Sequence, residues 1–170
     1  MKTTFLKTAT AIFILVFASC SNDDAVTVPT PIPTPIPTGS TSFKLNGVLI
    51  TADEVTATHY TNSVAGGKYI DVFVKKAGKE VLELHFPANT GTYPAQQSFD
   101  MTSSWLTYKS NDGATFPDDY YNSTSGEMKV TTLDMTGKVV KGTFSFVGNN
   151  GSSNVTITEG VLFVNQITVQ

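Results

Sequence analysis

The sequence predicts an all-β domain, an antiparallel β-sandwich of about 8 to 10 strands, behind an export signal and a proline-rich linker. Three observations predict it. Val, Ile and Thr make up 51 of the 170 residues, and β-branched side chains pack well on a pleated strand but lose χ1 freedom in a helix. From Phe43 onward, short runs of alternating apolar and polar residues are punctuated by Gly, Pro, Asn and Asp. No stretch of that region longer than about 11 residues holds an apolar i, i+3, i+4, i+7 pattern, which argues against βαβ units and a dinucleotide-binding crevice. A closed, calycin-like barrel satisfies the same periodicity, because it too buries one face of every strand and limits free edges.

Composition narrows the function classes. With 40% hydrophobic and 15% charged residues the chain has apolar surface for a core and too little charge for wholesale disorder. All 11 basic residues are lysine and the net charge is -3. The arginine fork that grips phosphates and guanines is therefore missing, and nucleic acid is not an expected partner.

Residues 1–19 have the layout of a secretory signal: Lys2 and Lys7, an apolar run over residues 11–18, then small residues directly before Cys20, the only cysteine. Eight apolar residues rise about 12 Å as a helix, whereas a bilayer core needs roughly 20, so the run reads as a cleavable address and not a permanent span. Phe17-Ala18-Ser19-Cys20 resembles the lipobox of bacterial lipoproteins, with Phe17 where that pattern usually has Leu. The resemblance implies cleavage before Cys20 and acylation of its thiol. A lone cysteine in an exported chain has no intramolecular disulfide partner, which favours an anchor over a catalyst. Ser21-Asn22-Asp23-Asp24 resembles the export tag that sends Bacteroidota lipoproteins to the outer face of the outer membrane, although Asn22 interrupts the acidic run. The expected location is the outer membrane with the domain displayed on the cell surface; the periplasmic face is the alternative.

Residues 20–42 form the linker. Pro29, Pro31, Pro33, Pro35 and Pro37 occupy alternate positions, and proline fixes φ, offers no backbone donor and restricts its predecessor, so residues 28–38 are expected to be an extended rod. At about 3.1 Å per residue the rod reaches roughly 34 Å, enough to hold a domain clear of lipid headgroups.

The domain, residues 43–170, opens with a hairpin, because Asn46-Gly47 between two apolar runs suits a turn with positive φ at both positions. Further strands are expected over residues 55–60, 69–75, 81–86, 105–109, 127–133, 139–147 and 155–164. Ile70, Val72 and Val74 share one face, as do Leu82, Leu84 and Phe86, while Asp71, Glu83 and His85 fall on the opposite faces. Thr90-Gly91-Thr92-Tyr93, Gly126-Glu127-Met128-Lys129-Val130, Val140-Lys141-Gly142-Thr143-Phe144-Ser145-Phe146 and Asn154-Val155-Thr156-Ile157-Thr158-Glu159-Gly160 resemble a family of small Bacteroidota lipoproteins of unknown function. The similarity extends from residue 43 to about 165 and reads as turn glycines with alternating strand residues. It implies an all-β lipoprotein and assigns no activity.

Catalytic constellations are not evident. His59 and His85 are the only imidazoles, and a zinc site takes at least three protein ligands, so a carboxylate such as Asp53 or Glu83 would have to join them. There is no G-x-S-x-G nucleophile turn. A glycan hydrolase needs only two carboxylates about 5 to 10 Å apart, for which Asp118, Asp119 and Glu127 are the candidates. The best site reading is residues 105–122, the least regular and most aromatic stretch, with Trp105, Tyr108, Phe116, Tyr120 and Tyr121 beside Asp118 and Asp119. Amphipathic rings beside polar acceptors stack on sugar faces. Alternatively, Trp105 and Phe116 plug an open end of the core and the tyrosines cover it. Asp112, Asp118 and Asp119 lack the spacing of a calcium loop. No metal or cofactor is implied. The expected function is a lipid-anchored, non-catalytic envelope module that binds a glycan or an envelope protein, with a barrel carrying a small apolar ligand, and then a glycan hydrolase, as alternatives.

Overall fold

The computed structural model describes residues 39–62, 66–97 and 102–170. The expectations for the signal, the lipidated Cys20 and the proline rod lie outside these residues. The strands are β1 (Ser42–Leu45), β2 (Val48–Thr51), β3 (Glu54–Asn62), β4 (Gly67–Lys76), β5 (Lys79–Pro87), β6 (Gly91–Pro94), β7 (Trp105–Lys109), β8 (Tyr120–Asp134), β9 (Val139–Asn149), β10 (Asn154–Val164) and β11 (Ile167–Val169). The all-β expectation holds, and Asn46 (φ 47°) and Gly47 (φ 86°) make the opening turn as expected.

The sandwich does not hold. One ladder runs unbroken in the order β11-β3-β4-β5-β7-β8-β9-β10-β1-β2, with β6 added beside β8. All pairs are antiparallel except β11 beside β3. No ladder joins β2 to β11 among the described residues, so the sheet is not a closed calycin-like barrel either. It is a single strongly curled sheet, a half-barrel.

The curl has a local cause. Register shifts interrupt the β8–β9 ladder between Ser123 and Ser125 and between Val130 and Thr132, and the β9–β10 ladder between Ile157 and Gly160. Each bulge adds a residue on one strand, bends it and raises its twist. Beside them, Gly126, Gly142 and Gly160 allow backbones to come so close that a Cβ would stand 2.1, 2.3 and 2.4 Å from the carbonyl oxygens of Ser145, Lys129 and Phe144. Gly142 and Gly160 fall within expected strands and Gly126 directly before one; all three lie inside strands and let the sheet bend. A sheet bent this far covers its own apolar face, which removes the need for a second sheet.

That inner face carries a single core. Phe43, Ile70, Val72, Val74, Leu82, Leu84, Phe86 and Leu106 are fully buried together with Met128, Val140, Ile157 and Leu162. Alternation therefore turns the intervening residues of β3, β4, β5 and β7 to the outer face.

Candidate functional site

The outer faces of β3, β4, β5 and β7 form a groove of about 220 Å³ lined by Tyr60, Asn62, Tyr69, Asp71, Glu83, His85 and Trp105. Register puts these side chains together. Tyr60 pairs with Tyr69, Asp71 with His85, and His85 with Trp105. One β-bulge makes this possible. The positive-φ turn at Ala77 and Gly78 pairs Lys76 with Lys79, yet beyond a shift between Val74 and Lys75 the ladder pairs Val74 with Leu82. Without that extra residue Asp71 would face Leu84, and the polar residues would be opposed to the core.

The rings of Tyr60, Tyr69 and His85 pack as a triangle, each touching the other two. Tyr69 is only 1% exposed, because His85 stacks on it at 4.7 Å between ring centroids and Tyr60 lies 6.2 Å away on a nearly parallel plane. Asp71 is the polar centre: its Oδ1 lies 2.6 Å from His85 Nδ1, and the Tyr60 hydroxyl lies 3.3 Å from that same nitrogen. Because the Asp71 carboxylate can only accept, the imidazole donates Nδ1–H to it. Burial pushes the Tyr60 phenol up to about 12, and the Asp71 carboxylate beside it adds to the shift, with smaller contributions from Tyr69 and Glu83. Lys109 bridges Glu80 and Glu83, the latter at 3.0 Å. Burial lowers the Lys109 pKa, but the two carboxylates outweigh this and raise it overall. On the far side of the groove Asn122 Oδ1 accepts Trp105 Nε1 at 3.3 Å and Thr107 Oγ1 at 2.9 Å, fixing the indole.

Tyr60 offers a direct check. Its folded pKa is raised above the ordinary value of 10.0, so its neutral form contributes stability that is fully present below pH 10 and lost as pH rises through about 12. A spectrophotometric tyrosinate titration of wild type minus Tyr60→Phe is expected to show a single transition near 12. A difference transition at the ordinary tyrosine value would show that the Tyr60 phenol is not buried beside Asp71.

The residues singled out in the sequence divide between the faces. Trp105 lines the groove, and Tyr120 shares the outer face further along, opposite Lys109, with the Lys109 ammonium 5.2 Å from its ring centroid. Tyr108 and Tyr121 pair on the inner side with ring centroids 5.9 Å apart, and Tyr108 packs on the core. Phe116 does not plug the core: it is 75% exposed at the loop tip, edge-on to Tyr120 at 5.3 Å. Within residues 105–122, β7 and the start of β8 pair, and residues 110–119 between them form a loop. Asp119 pins that loop by accepting from Ser110 Oγ at 2.8 Å and from the Thr115 amide at 2.9 Å. The Asp118 carbonyl accepts from Asn150 at 2.7 Å, and the Asp112 carboxylate from the Glu80 amide at 2.6 Å. Asp112 and Asp119 therefore brace backbone. Glu127 lies on β8 at the edge of a separate shallow depression with Thr143, Ser145 and Glu159.

His59 and His85 stand on opposite faces of the sheet, since His59 pairs with Ile70 on the core side and His85 with Asp71 on the outer side. Among the described residues no three His, Cys, Asp or Glu side chains are grouped to hold a metal ion. The sequence reading missed Tyr60, Asn62, Tyr69, Asp71, Glu83 and His85 as one site. Alternation had placed Asp71, Glu83 and His85 away from the core, but only register makes them neighbours.

No curated protein and no solved structure matches the chain. A family model described as "Domain of unknown function (DUF6252)" matches residues 42–165, which span every strand from β1 to β10, and the chain belongs to that family.

Proposed function

We propose that the protein is a non-catalytic, lipid-anchored module of the cell envelope that binds a glycan in the outer-face groove. The observation that carries the binding half is the groove itself. Partly exposed aromatic rings, Tyr60 and Trp105, stand beside Asn62, Asp71, Glu83 and His85 in a concavity, and sugars need this pairing of flat apolar surface with fixed polar groups. Asp71 and His85 resemble a general-base pair, but no serine or cysteine among the described residues lines the groove to receive it. The apolar-carrier reading lacks comparable support, because the inner face that would hold such a ligand is packed with Phe43, Leu84, Phe86 and their neighbours.

The anchoring half rests on the sequence. Acyl chains on Cys20 would fix the mature chain to the outer membrane of a Bacteroidota cell, and the acidic residues after it favour the cell surface over the periplasmic face. The proline rod would hold the domain away from the lipid. At about 0.8 kcal/mol per buried CH₂, two or more chains anchor stably where one would not. Mass spectrometry of membrane-extracted protein is expected to find diacylglyceryl on Cys20, and Cys20→Ala is expected to leave the protein in the soluble fraction. An unmodified thiol in native material would end the lipoprotein reading.

Binding has a built-in reporter, since Trp105 is the only tryptophan. Titration with neutral glucan, mannan and galactan oligosaccharides is expected to change its fluorescence with saturation. A flat response across such a panel, with calorimetry also silent, would remove the glycan reading.

A further inference from the structure

We infer that the groove discriminates by charge, accepting uncharged sugars rich in hydroxyl donors and rejecting uronic and other acidic sugars. The inference rests on the glycan reading above and specifies its ligand class. Three features of the lining lead to it.

First, the polar groups are predominantly acceptors. Asp71 and Glu83 as carboxylates can only accept, and Asp71 already draws the His85 Nδ1–H donor to 2.6 Å. A ligand that satisfies them must bring O–H or N–H donors. A sugar hydroxyl both donates and accepts, whereas a uronate replaces a donor with a group that only accepts.

Second, the charges in and beside the groove do not cancel. Asp71 and Glu83 line it, and both are partly withdrawn from water, with side-chain exposures of 23% and 36%. The cation among them, Lys109, is shared with a third carboxylate, Glu80, and its side chain is only 11% exposed. Lys109 with Glu80 and Glu83 leaves one negative charge, and Asp71 is balanced at most by its His85 partner, so an incoming anion meets net repulsion in a site where water screens it incompletely.

Third, the aromatic platform does not depend on charge. Tyr60 is the partly exposed ring, packed on Tyr69, and Trp105 is tethered by Asn122. Stacking is therefore available to any pyranose, and the carboxylates are left to select.

The test compares neutral oligosaccharides with oligogalacturonate of matched length on the purified soluble chain, read by Trp105 fluorescence and by calorimetry in low salt. At least one neutral oligomer is expected to bind, and oligogalacturonate at least tenfold more weakly. The double variant Asp71→Asn and Glu83→Gln is expected to narrow that gap, with circular dichroism confirming that it folds. Glu83→Gln alone, which leaves Lys109 its Glu80 partner, serves if the double variant does not. Equal or tighter binding of oligogalacturonate, or a gap unchanged in whichever variant folds, overturns the charge selectivity while the glycan reading stands. Silence from every oligosaccharide overturns both.

Discussion

Gly126→Ala is expected to destabilise the domain by at least about 3 kcal/mol, or roughly 10 °C in melting temperature for a domain of this size. Two costs combine. Gly126 has φ 131°, a backbone state essentially confined to glycine. Its missing Cβ would also stand 2.1 Å from the Ser145 carbonyl oxygen and 2.5 Å from Phe146 Cα. Those neighbours are backbone of β9, paired to β8 at Gly126 itself, and they cannot rotate away as a side chain would. Relief requires β8 and β9 to separate beside the bulge where the sheet bends. Gly151→Ala is the control: its φ is 91°, but no atom lies within 4 Å of the added carbon, so only the conformational cost of about 1 kcal/mol remains. Thermal or urea unfolding of both variants separates the two costs. Equal losses would show that close approach of the strands does not sustain the curl.

Trp105→Ala is expected to weaken binding of a neutral oligosaccharide by about 30- to 100-fold. Removing an indole face that covers a sugar ring forfeits about 50 Å² of apolar contact at roughly 25 cal/mol per Å², and the specific ring interaction adds about 0.5 to 1.5 kcal/mol. Together these reach about 2 to 3 kcal/mol, and each 1.4 kcal/mol is about tenfold in affinity. Calorimetry must carry this measurement, because the substitution removes the only tryptophan. Asn122 keeps its bond to Thr107 in the variant, so the neighbouring ladder retains a polar tie. Trp105→Phe should recover part of the affinity, which loss of folding would not. If Trp105→Ala binds as wild type while Phe116→Ala does not, the ligand sits at the exposed loop tip and the groove assignment is wrong.

Much of the domain was legible without coordinates. Alternation in β4 and β5 sorted Val72, Val74, Leu82 and Leu84 from Asp71, Glu83 and His85, and every one of those four apolar side chains is fully buried. Asn46-Gly47 placed the first turn. Short β6 and β11 were not foreseen, because four and three residues hold too little periodicity to stand out; the β11–β3 contact, moreover, is parallel and distant in sequence. The early part of β8 reads as loop in the sequence, since tyrosines, Asn and Ser there do not alternate in polarity, yet pairing to β7 and β9 supplies the order.

The candidate site was legible only in fragments. Trp105 was found because a tryptophan among tyrosines is conspicuous. Tyr60, Asp71 and His85 are 25 residues apart at most and carry no motif.

By itself, then, the sequence determined the class of structure, the composition of each strand's two faces and the resemblance of its first residues to an export and lipidation signal. These are properties of neighbouring residues, set by periodicity two and by turn stereochemistry. Whether the strands form two sheets or one, and which outer-face residues meet, was decided by tertiary structure. Both depend on bulges, where one extra residue shifts register, and on glycines whose use as points of close backbone approach is defined only by the strand lying across from them.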